Sequence, residues 1–467
     1  MIVWGDEYYT HVETFGGYTL VRDSETSSIC YAISDNNGDI ISSKIAYTGL
    51  NRKEEKDFEK ANNKNIKESQ EKVNQKAKRS REFLSEEKLS LKNSITNIQN
   101  RPEMFVRLAP NPYYSSYYSG SIVGLTLLID FPDVKSSITQ TQVDNYCNSL
   151  SYTDFGNNGS VRQYFRDISG NALDYTNVVT AYYTAKNNKS YYTDPNIPIG
   201  TRATELIKEA LTDLNSKGFN FSQLSRDSYS RVRAVNVFYA GGRDNAWSEG
   251  LWPHQWTLNG YRVGTTTFGG YQITNIGSSL TIGTFCHENG HLICDWADTY
   301  DYTYLSSGCG RYDLMSSSGT TNPVPPNPYF RNILAGWGEP EILNNRLSNS
   351  TINVYSNQVS AGIYRKDNNR EFYVIENVQA TGRWSGFGTS GLYIWHADKN
   401  KNNNDERQMT NAQHYQVSLE QADGRFDLEY NRNSGDSGDA YRYGGATVFK
   451  ENTTPNSKWW DGTISRT

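Results

Sequence analysis

Two histidines four residues apart, with a glutamate directly after the first, stand in the segment His287-Glu288-Asn289-Gly290-His291. On a helix, that spacing turns the second side chain by only about 40° and raises it by about 6 Å. Both imidazoles therefore leave one face and can hold a single ion. Glu288 stands beside that face, where its carboxylate can take a proton from a metal-bound water without ligating the metal. Zinc suits two neutral imidazoles and one carboxylate, with a fourth position left for water. The chemistry is hydrolysis by an activated water. The bland alternative is a pair of exposed helical histidines beside an ordinary glutamate, but six histidines in 467 residues make this spacing unlike chance.

The third ligand separates the classes of zinc hydrolase. After Glu288 no glutamate occurs until Glu339, beyond a proline-rich loop, which disfavours a glutamate supplied by a later helix. A third histidine is disfavoured too, because the next one after His291 is His396. Instead a cluster of aspartates comes directly after the helix, Asp295, Asp298 and Asp301. Asp298 is the first choice, with Asp295 and Asp301 as alternatives. Further on, Met315 lies in the turn Arg311-Tyr-Asp-Leu-Met315-Ser-Ser-Ser-Gly319, which looks like the methionine floor beneath a zinc site. A methionine in a loop is otherwise simple filler.

These residues need a scaffold. Residues 1–50 alternate Tyr, Thr, Val and Ile with Asn-Gly and Gly-Gly turn signals and read as a small set of strands, propeptide-like in position. Residues 51–105 change to Lys, Glu, Asn and Gln, a charged helical or disordered connector in which the glutamates cancel the lysines. Residues 106–341 interleave strands and helices. Leu125–Phe131 and Val232–Tyr239 read as buried strands, Val161–Ile168 and Glu205–Leu214 as helices. Residues 342–467 are a β-rich module, with strands expected at Phe372–Glu376, Gly391–Trp395 and Tyr415–Leu419. The expected class is α+β.

Composition narrows the partners. A net charge of −5 without a concentrated basic face argues against nucleic acid, and no apolar run is long enough to span a bilayer. Of five cysteines, Cys294 and Cys309 are the pairing the spacing offers, against buried free thiols. Gly435-Asp-Ser-Gly438 echoes a serine-protease nucleophile loop, but Asp439 comes next and no histidine stands in the required context. The sober reading of Asn431–Asp439 is a polar turn, with a calcium loop built from Asp436 and Asp439 as the second expectation. His254 and His396 each lie close to a tryptophan and are expected to be structural, His254 being the nearer to a cleft.

The order of motifs resembles the secreted zinc metalloproteases similar to immune inhibitor A. The likeness is carried by Trp4-Gly-Asp-Glu7, Gly17-Tyr-Thr-Leu-Val21, Ile129-Asp-Phe131, the Gly159–Phe165 segment and Trp252-Pro-His254. It continues through the His287–His291 helix leading to Asp298–Asp301, then Asp313-Leu-Met-Ser, Gly391–His396 and Gln421-Ala-Asp-Gly424. Two departures stand out: Cys294 replaces the usual glycine, and the step to the aspartate is one residue longer, so Asp295 and Asp301 remain alternatives. The resemblance implies a metzincin-like zinc endopeptidase acting on proteins or peptides, extracellular and made as a zymogen, although the first residues show no basic-then-apolar leader. A monomer is expected. Asp6 or Glu7 would be the latency group and Lys76-Ala-Lys-Arg-Ser-Arg81 a processing site. The competing reading is a non-catalytic surface-binding or adhesin module on a protease-like fold.

Overall fold

The computed structural model describes residues 2–5, 10–13, 18–22, 29–34, 40–47, 53–61 and 118–465, apart from 246–248, 303–304, 348–349, 368–369 and 404–408. Asp6, Glu7 and the basic run Lys76–Arg81 lie outside the described residues, as does the connector after Ala61. Two compact units emerge: Met1–Arg101 with Ser190–Ala203 and Arg243–Trp252, and the remainder of the chain. The chain is mixed α/β, with several sheets and few helices.

In the first unit, β1 (Ile2–Gly5), β2 (Thr10–Glu13), β3 (Thr19–Arg22), β4 (Ile29–Ser34) and β5 (Ile40–Ala46) form an antiparallel meander. Helix α1 (Lys53–Ala61) presents Phe58 to Tyr18, Leu20 and Tyr31. The Tyr31 and Phe58 rings lie 4.8 Å apart, and the Tyr31 hydroxyl donates to Glu59 Oε1 at 2.8 Å.

In the second unit, α2 (Gln140–Asn148) and α3 (Val161–Ser169) begin at side-chain caps, Thr139 and Ser160. α3 ends on Gly170, whose φ of 62° suits a residue without a Cβ. The helix expected around Glu205–Leu214 is α4 (Thr201–Ser216), and the histidine pair lies on α5 (Ile282–Cys294). The strands are β6 (Gly120–Asp130), β7 (Leu173–Thr184), β8 (Arg231–Val232), β9 (Val235–Ala240), β10 (His254–Thr257), β11 (Arg262–Val263), β12 (Thr266–Phe268) and β13 (Gly270–Ile276). The main sheet runs β10-β13-β9-β6-β7, parallel except for the antiparallel edge strand β10. Parallel strands are covered on both faces, which is why β6 reads as the near-continuous apolar run Leu125–Ile129. β8, β11 and β12 form a small separate sheet.

The last sheet, β14 (Glu341–Ile342), β15 (Gly362–Arg365), β16 (Glu371–Val378), β17 (Gly391–Asp398) and β18 (Val417–Leu419), contains the three strands expected there. One buried cluster extends from Ile122 through Phe285, Met315 and Trp337 to Phe372, Trp395 and Ala440. Arg331 reaches across it, with Nη2 2.6 Å from Glu376 Oε2, while Trp395 Nε1 donates to the other oxygen at 2.8 Å. Among the described residues, no helix is long and apolar enough to cross a membrane.

Candidate metal centre

Helix α5 sets the histidines. Its interior contains Gly283 and Gly290, which lower helix propensity by about 1 kcal/mol each relative to alanine. Both allow close approach. A Cβ on Gly283 would lie 2.7 Å from the Gly319 carbonyl oxygen, and one on Gly290 would lie 2.7 Å from Met315 Sδ. Met315 therefore packs directly against the helix at Gly290, next to His291. Asp295 closes the helix in the left-handed region (φ 55°), a conformation aspartate tolerates better than most residues. The chain then doubles back, with the Trp296 N–H reaching the Gly290 carbonyl at 3.2 Å.

This turn brings Asp298 to the helix face. Its Oδ1 lies 3.0 Å from His287 Nε2 and 3.1 Å from His291 Nε2, and the two imidazole nitrogens are 3.2 Å apart. Each Nδ1 faces a backbone carbonyl, Leu314 at 3.0 Å and Trp296 at 2.6 Å, to which it must donate. Nδ1–H is thereby fixed in both rings, and each Nε2 is left to share a proton or a metal ion with the carboxylate. Tetrahedral zinc with bonds of about 2.0–2.1 Å needs ligand atoms separated by about 3.3 Å. The trio fits that ion. Tyr302 donates its hydroxyl to Asp298 Oδ2 at 2.7 Å, steadying the carboxylate.

Burial sets the electrostatics. It opposes charge on His287, but Asp298 outweighs it, aided by Glu288, and the pKa rises to about 9. A cation held there, whether proton or metal, is what the carboxylate favours. Asp298 is itself held well below the usual carboxylate range; burial opposes this, and the two imidazoles overcome it. Burial raises the Glu288 carboxyl above its ordinary value, against the pull of both histidines.

The other aspartates go elsewhere. Asp295 Oδ2 accepts from the Tyr118 hydroxyl at 3.0 Å, and Asp301 Oδ2 accepts the Ser306 N–H at 3.0 Å. His254 is buried with Nε2 2.9 Å from the Tyr271 hydroxyl, and His396 is buried between Glu371 and Glu420. Neither joins the trio. All five cysteines are free and buried, so the Cys294–Cys309 pairing is not formed. Cys309 lies 3.3 Å from the Val417 carbonyl oxygen, and burial raises both thiols, which keeps them protonated and unreactive. Asp436 gathers with Asp423 and Asp427, whereas Asp439 accepts from the Tyr312 hydroxyl at 2.7 Å.

Sequence reasoning gave no role to Tyr302 or Asp313. Asp313 is fully buried and accepts from the Met315 N–H at 2.9 Å, Thr299 Oγ1 at 2.9 Å and Asn327 Nδ2 at 2.6 Å. It ties the methionine turn to the segment just after Asp298. The Asp-x-Met spacing, an Asx turn, was the available signal.

No family model matches the chain. It is 25% identical over 268 residues, 45% of its length, to the pre-pro-metalloprotease PrtV of Vibrio cholerae serotype O1, with the same figures for the protein from each of two strains. That stretch makes up 29% of the relative, so the chain spans less than a third of the length of the curated protein it matches.

Proposed function

We propose that the chain is a zinc-dependent endopeptidase, with His287, His291 and Asp298 as metal ligands and Glu288 as general base. The supporting observation is the convergence of two Nε2 atoms and one carboxylate oxygen within 3.2 Å, with both Nδ1 protons committed to backbone carbonyls. Bound zinc supplies Lewis acidity and a nucleophilic water at neutral pH. With zinc bound, Glu288 would hold and move the proton, taking it from the attacking water and delivering it to the departing amine. Strand β10 lies at the edge of the main sheet, where an extended substrate can add as a further strand.

The relative's name includes a pre- and a pro-segment, and the same organisation is our reading here: 1–50 propeptide-like, 51–105 a connector, 106–341 a metzincin-like catalytic domain and 342–467 a β-rich module, acting outside the cell as a monomer. Asp423, Asp427 and Asp436 form an all-oxygen trio suited to calcium.

The test is metal analysis with a casein digest, run on the whole chain and on Glu288→Ala. The variant should retain zinc and lose at least about a hundredfold in hydrolysis. A variant that cleaves casein like the wild type sinks the mechanism, and a wild type holding zinc without cleaving any substrate after proteolytic processing favours the adhesin reading. Zinc found without calcium removes the second site.

A further inference from the structure

Asn289 lies between the two residues assigned the base and helix-packing roles, yet it faces the other way. At about 100° per residue it points about 180° from the mean direction of His287 and His291. It is fully buried, where an apolar side chain is the usual choice. Its Nδ2 donates to the Phe285 carbonyl of its own helix at 2.9 Å, which leaves Oδ1 directed at the sheet.

There a directed chain of hydrogen bonds meets it, with a branch from Asn236 Nδ2 to Asn177 Oδ1 at 2.7 Å. Thr274 Oγ1 donates to Gln272 Oε1 at 2.8 Å, and Gln272 Nε2 donates to Asn236 Oδ1 at 3.0 Å. Asn236 Nδ2 donates to the Tyr175 hydroxyl at 2.7 Å, and that hydroxyl donates to Asn289 Oδ1 at 2.8 Å. Every link has one donor and one acceptor. Burial pushes the Tyr175 phenol up, so its proton remains in place. Three strands, β7, β9 and β13, thus terminate on one side chain of the metal-bearing helix. A second observation concerns β6: a Cβ on Gly124 would lie 2.6 Å from Asn177 Oδ1 and 2.9 Å from the Tyr175 hydroxyl. The strand contains a glycine where the network needs the space.

Apolar packing would hold α5 to the sheet but tolerate sliding and roll, whereas a buried directional network specifies one arrangement. A roll of about 10° moves an imidazole nitrogen about 6 Å from the helix axis by about 1 Å. We propose that Asn289 and Tyr175 are positioning residues that fix the roll of α5, and with it the convergence of His287, His291 and Asp298. This rests on the reading of that trio as a metal site.

The experiment measures zinc affinity by chelator competition and the visible spectrum of the cobalt-substituted full-length chain. Tyr175→Phe leaves Asn289 Oδ1 unsatisfied, while Asn236 keeps its bond to Asn177 Oδ1 at 2.7 Å. The double variant Asn289→Leu/Tyr175→Phe removes both polar ends, which restores stability when orphaned groups were the only problem. We expect the double variant to melt close to the wild type yet bind zinc about tenfold or more weakly, with a distorted cobalt spectrum. A double variant with wild-type stability, zinc affinity and spectrum overturns the proposal. Wild-type protein that binds no zinc would overturn the metal-site reading itself, a different outcome. Should the double variant fail to fold, Tyr175→Phe alone carries the same two readouts, and unchanged affinity and spectrum there count against the proposal.

Discussion

Asp295, Asp298 and Asp301 come after one helix within seven residues, yet the fold gives them three different surroundings. Only Asp298 has an oxygen within 3.1 Å of both imidazole nitrogens. Asp298→Asn should therefore weaken zinc retention by about a hundredfold or more, while Asp295→Asn and Asp301→Asn stay within about threefold, because a neutral amide is a poor oxygen ligand. Equal zinc content in all three purified variants would remove Asp298 from the ligand set. The histidine pair was legible because helical periodicity alone brings residues four apart together. The aspartate was legible as one of three with Asp298 first, but not singled out, because its position depends on Asp295 taking a left-handed conformation, and the residue type permits that without dictating it. Asn289 was less legible still, since its partner Tyr175 and the residues behind it, Asn236 and Gln272, come from three strands far apart in the chain.

At the level of elements, the two glycines of α5 make a paired prediction. Alanine gains about 1 kcal/mol of helix propensity at either site. At Gly290 the added methyl meets Met315 Sδ at 2.7 Å, an atom on a flexible side chain, whereas at Gly283 it meets the Gly319 and Thr320 backbone within 2.9 Å. Gly283→Ala should lose about 2 kcal/mol or more in urea unfolding and Gly290→Ala about 1 kcal/mol or less; the reverse order would show that the methionine floor is the stiffer neighbour. The last sheet makes a pH prediction. His396 has Nε2 2.8 Å from Glu371 and Nδ1 3.2 Å from Glu420, and Trp460 stacks on it at 4.8 Å. Burial opposes its charge, but the carboxylates prevail and raise its pKa; Glu371, against its own burial, is lowered. The imidazolium contribution is complete below the ordinary histidine value and is lost as pH rises through the raised one. Glu371's contribution is present above the ordinary glutamate value and is lost as pH falls through the lowered one. The melting-temperature gap between wild type and His396→Gln should accordingly be widest below the ordinary histidine value of about 6.5 and shrink as pH rises through the raised one, and a gap independent of pH would mean that folding leaves the His396 pKa unchanged.

Across the whole molecule, the mixed α/β character and the strand-rich start and end were legible from periodicity. What composition could not reveal is that two short segments from the middle of the chain, Ser190–Ala203 and Arg243–Trp252, gather with the N-terminal sheet into one unit. Those segments are also tied to each other: Asn245 Nδ2 donates to the Thr193 carbonyl at 2.6 Å, and Pro198 bridges to Glu249. The second segment runs directly into His254, the first residue of edge strand β10. The N-terminal sheet has its own buried cluster of Tyr18, Leu20, Tyr31 and Phe58. Charged, polar sequence such as residues 62–105 is where proteases nick most readily. The uncleaved chain should thus show little activity on casein. Limited trypsin digestion within that stretch, with removal of the released N-terminal fragment, should raise activity at least about tenfold with no change in zinc content. Full activity before cleavage would exclude gating by the N-terminal unit. A gain that appears on cleavage and persists with the fragment still bound would instead assign the restraint to the connector.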